Sequence, residues 1–95
     1  MSIITRLNDF RAAPGKETDL RDFLKSIIGL IRDAPGCRDV ALLLDQEDAA
    51  HFVIVEEWDS VDAHKASVSR IPPGKIGEVR NLIASPPVGR YYDPA

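Results

Sequence analysis

Three side chains that could do chemistry lie close together in the middle of the chain. Glu56 and Trp58 stand two residues apart at the end of an apolar segment, and His64 follows six residues later. A carboxylate or an imidazole can take or give a proton, and an indole can stack on a planar aromatic ligand. These residue types at this spacing predict a small pocket at the end of the segment.

The apolar segment that carries the first two of these groups, His51 to Trp58, has the pattern of a buried strand. Successive side chains in a strand point to opposite faces, so Glu56 and Trp58 point the same way. Both faces are apolar over most of the segment, as in a strand that is covered on two sides. We therefore expect it to lie inside a sheet with a layer packed on each face.

Each of these residues also has a purely structural interpretation. Trp58 either fills the core where strand meets helix, or it walls a cavity and stacks on a ligand. Glu56 is costly to bury unpaired, and an ion pair with Arg6 is the structural alternative to a substrate contact. His64, in the first turn of the next helix, is either a surface residue or a proton acceptor near Trp58.

The first predicted strand, Ile3 to Phe10, adds polar groups to the same region. Arg6, Asn8 and Phe10 share one of its faces. Asn8 either satisfies a neighbouring backbone group or hydrogen-bonds a substrate oxygen. The sequence therefore supplies a cation and an amide in addition to the three groups above.

The remaining elements follow from changes in hydrophobic period and from proline–glycine breaks. The predicted order continues with a helix from Lys16 to the Pro35-Gly36 break, a strand over Val40–Leu44 and the strand from His51. A second helix, capped by Asp59 or Ser60, runs to about Val68 and resumes over Lys75–Ala84, and a short strand over Val88–Tyr92 follows. This βαββαβ order predicts one α+β, ferredoxin-like domain over residues 1–95. Its four-stranded antiparallel sheet would carry both helices on one face.

The other face of this sheet has no predicted helix to cover it. The second strand must point one of two alternating sets there, either Val40, Leu42 and Leu44 or else Ala41 and Leu43. With half of the central strand added, the apolar patch exceeds what a soluble monomer exposes. We expect the same face of a second copy to cover it, which gives a two-fold homodimer.

Composition argues against several classes of protein. The net charge of −3 comes without a basic stripe, so we expect no nucleic-acid partner. No apolar run reaches the roughly 20 residues that span a membrane, and the first residues do not open a signal peptide. The single Cys37 allows no internal disulfide, and we expect an inert thiol in a reducing cytoplasm. His51, His64 and Cys37 lack the spacing of zinc ligands, so no metal site is predicted.

Four short motifs occur in order along nearly the whole chain. They are Pro14-Gly15-Lys16-Glu17, Pro35-Gly36-Cys37, Glu56-Glu57-Trp58-Asp59-Ser60 with Ala63, and Pro86-Pro87 before Tyr91-Tyr92. Taken together they resemble the antibiotic biosynthesis monooxygenase family. The resemblance implies a dimeric α+β barrel. It also implies oxidation of an aromatic or quinol-like compound by O₂ without a metal or flavin, although other members degrade haem or process small signal molecules.

The resemblance places the catalytic residues only loosely. Active members often carry a histidine where this chain has Ser67. His64 lies three residues earlier, where we expect it to face a different way. Asn8 stands where haem-degrading relatives place a catalytic asparagine. Because the second helix offers no histidine to ligate haem at the family's position, we expect no cofactor.

Two functional hypotheses follow. The first is a cofactor-independent monooxygenase acting on a small aromatic or quinol-like compound. Its predicted catalytic residues are Asn8, Trp58 and His64, and its predicted substrate-binding residues are Arg6, Phe10 and Glu56. In that scheme the indole stacks on the ring, the amide binds a substrate oxygen and the imidazole is the base. The second is a non-catalytic dimeric module whose cavity binds a small molecule.

Overall fold

The computed structural model describes residues 3–95 and contains the predicted alternation of strands and helices. Its elements are β1 (Ile4–Arg11), α1 (Glu17–Arg32), β2 (Cys37–Leu44), β3 (His51–Trp58), α2 (Val61–Val68), α3 (Pro73–Arg80) and β4 (Val88–Tyr92). The strands form one antiparallel sheet in the order β2-β3-β1-β4. The predicted ferredoxin-like α+β fold is confirmed. None of the helices between residues 3 and 95 has the length and apolar character that crossing a bilayer requires.

Two predicted boundaries were wrong by several residues. Strand β2 begins at Cys37 rather than Val40, and α3 covers Pro73–Arg80 rather than Lys75–Ala84. A proline suits the first turn of a helix because its missing N–H has no intrahelical partner there, so α3 starts early. Helix α3 ends early because the chain after it bonds to the backbone of β1 and of the turn that follows. The Leu82 carbonyl accepts from the Ala13 amide, and the Ala84 amide donates to the Arg11 carbonyl.

Helix α1 is amphipathic, and its apolar stripe packs on the inner face of the sheet. Leu20, Phe23, Leu24 and Ile27 are buried along this stripe, as its 3.6-residue period predicts. They join the core with residues from β1, β2 and β3, namely Phe10, Val40, Phe52 and Ile54. Helix α1 covers only part of the inner face of β1 and β3. Helices α2 and α3 lie beside the rest of that face.

A close approach between two turns fixes the start of α2. Gly36 has φ +88°, and a Cβ there would lie 2.7 Å from the Cβ of Ala63. The Asp59 amide donates to the Gly36 carbonyl at 2.9 Å, and the Ser60 hydroxyl caps α2 by accepting from the Ala63 amide at 3.1 Å. The turn after α1 therefore holds α2 against the end of β3.

The outer face of the sheet is the open face, which no helix among residues 3–95 covers. The strand register decides which of the two alternating sets on β2 lies on the open face. Ala41 pairs with Val55 and Leu43 with Val53, and all four side chains point outwards. The other set, Val40, Leu42 and Leu44, points towards the helices. Leu43 is 51% exposed, so the open face presents a large apolar side chain on the edge strand β2.

A charged cluster occupies one end of the open face. The imidazole of His51 lies between two carboxylates, with Nδ1 2.8 Å from Asp45 Oδ2 and Nε2 2.6 Å from Asp9 Oδ1. The hydrogen bonds to Asp45 and Asp9 raise the pKa of His51, and the same bond lowers the pKa of Asp45. Both shifts favour a protonated imidazole beside an ionised Asp45.

The raised pKa of His51 makes the stability of the fold depend on pH. A histidine whose folded pKa is raised stabilises the fold fully below its unfolded pKa of about 6.5, and the contribution is lost as pH rises through the folded value. We expect His51→Gln to lower the free energy of unfolding more at pH 5.5 than at pH 9. Urea unfolding of both proteins at the two pH values measures this, and an equal loss at both would contradict it.

Candidate functional site

A cavity of about 340 Å³ lies between the inner face of the sheet and the three helices. Strands β1 and β3 form its floor, α1 forms one wall, and α2 and α3 form the other side. Most of the lining is apolar, and the polar lining residues are Arg6, Asn8, Glu56, His64, Ser67 and Lys75. An apolar cavity of this size with a few polar groups is the usual form of a site for a small organic molecule.

Five of the six predicted site residues line this cavity. Alternation along β1 brings Arg6, Asn8 and Phe10 to its floor, and β3 contributes Glu56. His64 enters from α2. The strand residues could be grouped from the sequence because alternation alone decides which of their side chains point towards the helices.

Glu56 is a buried carboxyl group at one end of the cavity. It is 4% exposed and its Oε1 accepts a hydrogen bond of 2.8 Å from the indole N–H of Trp58. Burial raises the pKa of Glu56, while the bond from Trp58 and the nearby charge of Arg6 act in the opposite direction. A carboxylate in this environment holds a proton more tightly than an exposed one, which makes it the stronger base.

Trp58 does not line the cavity, and the predicted stacking on a ligand does not fit its position. Its side chain is 0% exposed and packs with Ile4 and Ala34 in a small core at the end of the sheet. Stacking needs an exposed ring face, and the surrounding core covers both. The indole instead fixes Glu56 through its N–H, and its ring meets that of His64 edge-on with centroids 5.5 Å apart.

His64 is buried, so the interpretation as a surface residue was wrong. It is 9% exposed, and its Nδ1 lies 2.6 Å from the hydroxyl oxygen of Tyr91 on β4. Burial, together with the positive charges of Arg6 and Lys65, lowers the pKa of His64 to about 4. The imidazole is therefore neutral at physiological pH. When Tyr91 accepts from Nδ1–H, the lone pair of Nε2 is left to accept a proton; this nitrogen lies 4.0 Å from Glu56 Oε1.

The expectation that His64 faces away from Ser67 was also wrong. Both residues line the cavity, because positions three apart on a helix lie on the same face. The Ser67 hydroxyl donates to the backbone carbonyl of His64 at 2.6 Å. The imidazole thus enters the same cavity one turn earlier on α2 than the position where the resemblance places a histidine.

The predicted ion pair between Arg6 and Glu56 is not formed. The two residues are direct cross-strand partners, yet they are not among the pairs within 4.0 Å in residues 3–95. The guanidinium of Arg6 lies over the ring of Tyr91, 4.8 Å from its centroid, which is a cation–π contact. It also lies so close to the backbone of Gly89 that a Cβ there would collide with it.

The Nε of Arg6 is buried and has no hydrogen-bond partner within the described part of the chain. A buried donor without a partner costs roughly 1–3 kcal/mol. The group is therefore held beside the cavity by its stacking on Tyr91 and by the space at Gly89 rather than by hydrogen bonds. A guanidinium in this state is available to an anionic or electron-rich ligand.

Three residues of the site were missed from the sequence. Tyr91 orders both His64 and Arg6, Ser67 lines the cavity, and Lys75 lines it from α3. Tyr91 could have been found, because ferredoxin-like topology places the last strand beside the first and alternation then points one tyrosine inwards. Lys75 could not, because its direction depends on how α3 is seated, and nothing in the sequence fixes that.

Metal ligation and thiol chemistry are not indicated by the described residues. Between positions 3 and 95 no group of three or more His, Cys, Asp or Glu side chains could hold a metal ion. Burial and the charge of Glu56 raise the pKa of Cys37, which keeps it in the less reactive thiol form. The groups able to act on a bound molecule are a neutral imidazole, a buried carboxyl, an amide and two cations.

The fold is a ferredoxin-like α+β domain with an apolar cavity beside its sheet, and comparison with known families makes the class specific. A model of the antibiotic biosynthesis monooxygenase family matches residues 3–72. The chain belongs to this family.

Solved structures agree with this assignment. A protein from Chloroflexus aurantiacus that is described as a member of the same family is 30% identical to the chain, with a TM-score of 0.79 and coverage of 99% of this chain and 94% of the other. A protein from Pseudomonas aeruginosa has a TM-score of 0.86 at 19% identity, over 100% and 96% of the two chains. SnoaB, a cofactor-independent oxygenase from Streptomyces nogalater, has a TM-score of 0.79 at 17% identity, over 97% and 92%. No curated protein matches the chain in sequence.

Proposed function

We propose that the protein is a cofactor-independent monooxygenase that oxidises a small aromatic or quinol-like compound with O₂. The observation that carries the proposal is the apolar cavity of about 340 Å³ with a neutral imidazole and a buried carboxyl at one end. Such a site can bind an electron-rich ring, remove a proton from it and exclude water. Membership of the antibiotic biosynthesis monooxygenase family and the likeness in fold to SnoaB support the same reaction class.

In this proposal the first step is a proton transfer from the bound substrate. Nε2 of His64 accepts the proton of a phenolic O–H or of an activated C–H, and Tyr91 holds the imidazole by its other nitrogen. Glu56, 4.0 Å from Nε2, stabilises the imidazolium that forms, because opposite charges attract strongly in a poorly solvated site. Asn8 hydrogen-bonds the substrate oxygen, and Phe10 packs against the ring.

The second step is electron transfer from the substrate anion to O₂. The superoxide that forms is an anion, and the guanidinium of Arg6 beside the cavity stabilises its charge. Recombination gives a peroxide anion on the substrate carbon, which takes the proton back from His64 and then loses water. The C–H carbon of an anthrone methylene or of a quinol ring thereby becomes a carbonyl, with one oxygen atom of O₂ in the product and the other in H₂O, so the substrate supplies all the electrons.

The alternative function is a binding module without turnover. The observation that favours it is the hydroxyl of Ser67 at the position where the resemblance places a histidine. The same cavity then holds a small aromatic ligand, and His64 only forms hydrogen bonds with the polar groups of that ligand. Oxygen consumption separates the two functions, because a binding module takes up a ligand without it.

The partner in the proposed assembly is a second copy of the chain, docked through the open face. The central strands carry Leu7, Val53 and Val55 there, the edge strand β2 adds Leu43, and the charged cluster around His51 lies at one end. An apolar centre with a polar rim is the usual composition of a stable interface. A two-fold axis through the sheet pairs this surface with itself and covers the exposed side chains.

We expect oxygen uptake with hydroquinones or anthrones and no added cofactor. The variant His64→Gln is expected to lower kcat by at least about a hundredfold, the lower end of what a positioned base contributes. The matched control is His51→Gln, which changes the other histidine, on the open face, and is expected to keep the rate. An oxygen electrode measures uptake, and mass spectrometry measures the oxygen atom gained by the product.

Two outcomes would count against this function. If none of these compounds is oxidised while they bind in the cavity, the binding module is the correct alternative. If His64→Gln turns over as fast as the unchanged protein, the imidazole is not the base.

A further inference from the structure

The charged groups of the cavity lie at its two ends. Helix α1 lines it with Phe23, Ile27 and Ile31. The first and last of these are about 12 Å apart along the axis, because an α-helix rises 1.5 Å per residue. Ile31 packs in the cluster that contains Trp58, next to Glu56, while the ring of Phe23 lies beside Lys75, 5.7 Å from its Nζ. Since Nζ also bonds to Ser26, the Lys75 ammonium lies level with Phe23 to Ser26, which is roughly 8–12 Å along the α1 axis from Ile31.

The ammonium group of Lys75 has little to bind inside the protein. It donates one hydrogen bond of 3.1 Å to the hydroxyl of Ser26 and lies over the ring of Phe23. An ammonium has three donors. Over residues 3–95 no carboxylate oxygen lies within 4.0 Å of it. A half-buried cation with a hydroxyl and a ring face as its partners can accept an anion from a ligand.

The balance of charge in the lining points the same way. The lining contains two cations, Arg6 and Lys75, and one carboxyl, Glu56, while His64 is neutral at physiological pH. An excess of positive charge in an apolar, poorly solvated cavity attracts anions more strongly than the same charges on a surface. Glu56 is at the far end and is bonded to Trp58, so it does not neutralise Lys75.

We propose that the ligand of this cavity is an aromatic compound with a hydroxyl at one end and a carboxylate or similar acid at the other, and that Lys75 binds the acid. The hydroxyl then meets His64 and Glu56, and the distance between the two ends matches two fused rings with their substituents. The placing of the hydroxyl rests on the proposed function. The acid site rests on Lys75 alone.

Calorimetric titration with three naphthalene derivatives tests this proposal. The probe is 6-hydroxy-2-naphthoate, whose hydroxyl and carboxylate are at opposite ends. The first comparison is 2-naphthol, which lacks the acid, and the second is 1-hydroxy-2-naphthoate, whose two groups are adjacent. We expect the probe to bind about tenfold more tightly than either, which is the effect of one charge-assisted hydrogen bond at a partly exposed site.

Variants assign the preference to one side chain. Lys75→Gln is expected to remove the tenfold preference, and Lys75→Arg to keep it, since arginine retains the charge. The matched control is Lys25→Gln, an exposed lysine of α1 that does not line the cavity and makes the same change in net charge. Raising the salt concentration should weaken binding of the probe and leave that of 2-naphthol unchanged.

The outcomes separate this proposal from the proposed oxygenase function. Equal affinities for the probe and 2-naphthol, no binding of either, or a preference that survives Lys75→Gln would each overturn the acid site. Oxygen uptake with a neutral anthrone and no preference for the probe would overturn the acid site alone. A preference that depends on Lys75, with no compound oxidised, would overturn the oxygenase function and leave the acid site standing.

Discussion

Replacing Leu43 by Asp is expected to split the proposed homodimer into monomers of 10.5 kDa. Leu43 lies on the edge strand β2 with its side chain on the open face, and in a two-fold interface that covers this face an aspartate there would be buried twice without a partner. Burying an unpaired charge costs several kcal/mol per ion. Even about 4 kcal/mol in total raises the dissociation constant about a thousandfold. Analytical ultracentrifugation at micromolar concentration measures the change.

Strand β2 supplies a matched control for this substitution. Leu44 is 52% exposed, against 51% for Leu43, but it pairs with Phe52 and so points to the helix side of the sheet. Leu44→Asp should leave the dimer intact. The proposed interface is wrong if the unchanged protein sediments as a monomer, or if the two variants dissociate equally.

The second large effect is expected from Trp58→Phe, which should lower the free energy of unfolding by about 2–4 kcal/mol. The smaller ring leaves a void in a fully buried site, and the carboxyl of Glu56 loses its only hydrogen-bond donor among residues 3–95. For a chain of this length the melting temperature should fall by at least about 10 °C. Thermal unfolding at one fixed protein concentration is the measurement, because association shifts the melting temperature.

Combining this change with Glu56→Gln identifies the source of the loss. Glutamine still accepts the indole N–H but carries no charge, so Trp58→Phe should cost about 1 kcal/mol less when Glu56→Gln is already present. Because the folded pKa of Glu56 is raised, its ionisation destabilises the fold as pH rises above its ordinary value of 4.5. Glu56→Gln should therefore be more stable than the unchanged protein at neutral pH and lose this advantage in acid.

A different pattern would restore the ligand-stacking role of the indole. In that case Trp58→Phe would melt at the same temperature as the unchanged protein and bind aromatic compounds about fivefold more weakly, since stacking contributes roughly 1 kcal/mol beyond burial. The fully buried position of the ring makes us expect the opposite result.

The order of elements and the sheet could be predicted from the sequence because each rests on local pattern. The apolar stripe of α1 shows which side of the helix is buried, and the alternation of β3 shows which side chains share a face of the sheet. The Pro35-Gly36 pair marks where α1 ends. The ends of α3 could not be predicted. Residues 82–84 pair with the chain at the end of β1, and that long-range pairing overrides the helical spacing of Ile83.

The face of the sheet that carries the site residues could be predicted from the sequence. The contacts between their side chains could not. Alternation placed Arg6 and Glu56 on one face and made an ion pair the natural expectation. Tyr91 arrives from the opposite end of the chain and draws the guanidinium onto its ring, while Trp58 takes the carboxyl. Which of two partners a buried charge selects depends on side chains brought together only by the fold, so spacing along the chain carries no information about it.

The position of the Arg6 guanidinium depends on the absence of a Cβ atom at Gly89. Gly89 has no side chain to contribute to the cavity, yet any other residue there would occupy the volume that the guanidinium now fills. The backbone of the edge strand β4 thus leaves room for a cation. The fit depends on the absence of a side chain at position 89 rather than on a polar contact. The residue at position 89 gives protein engineers a means to shift the charge in the cavity without altering a single lining residue.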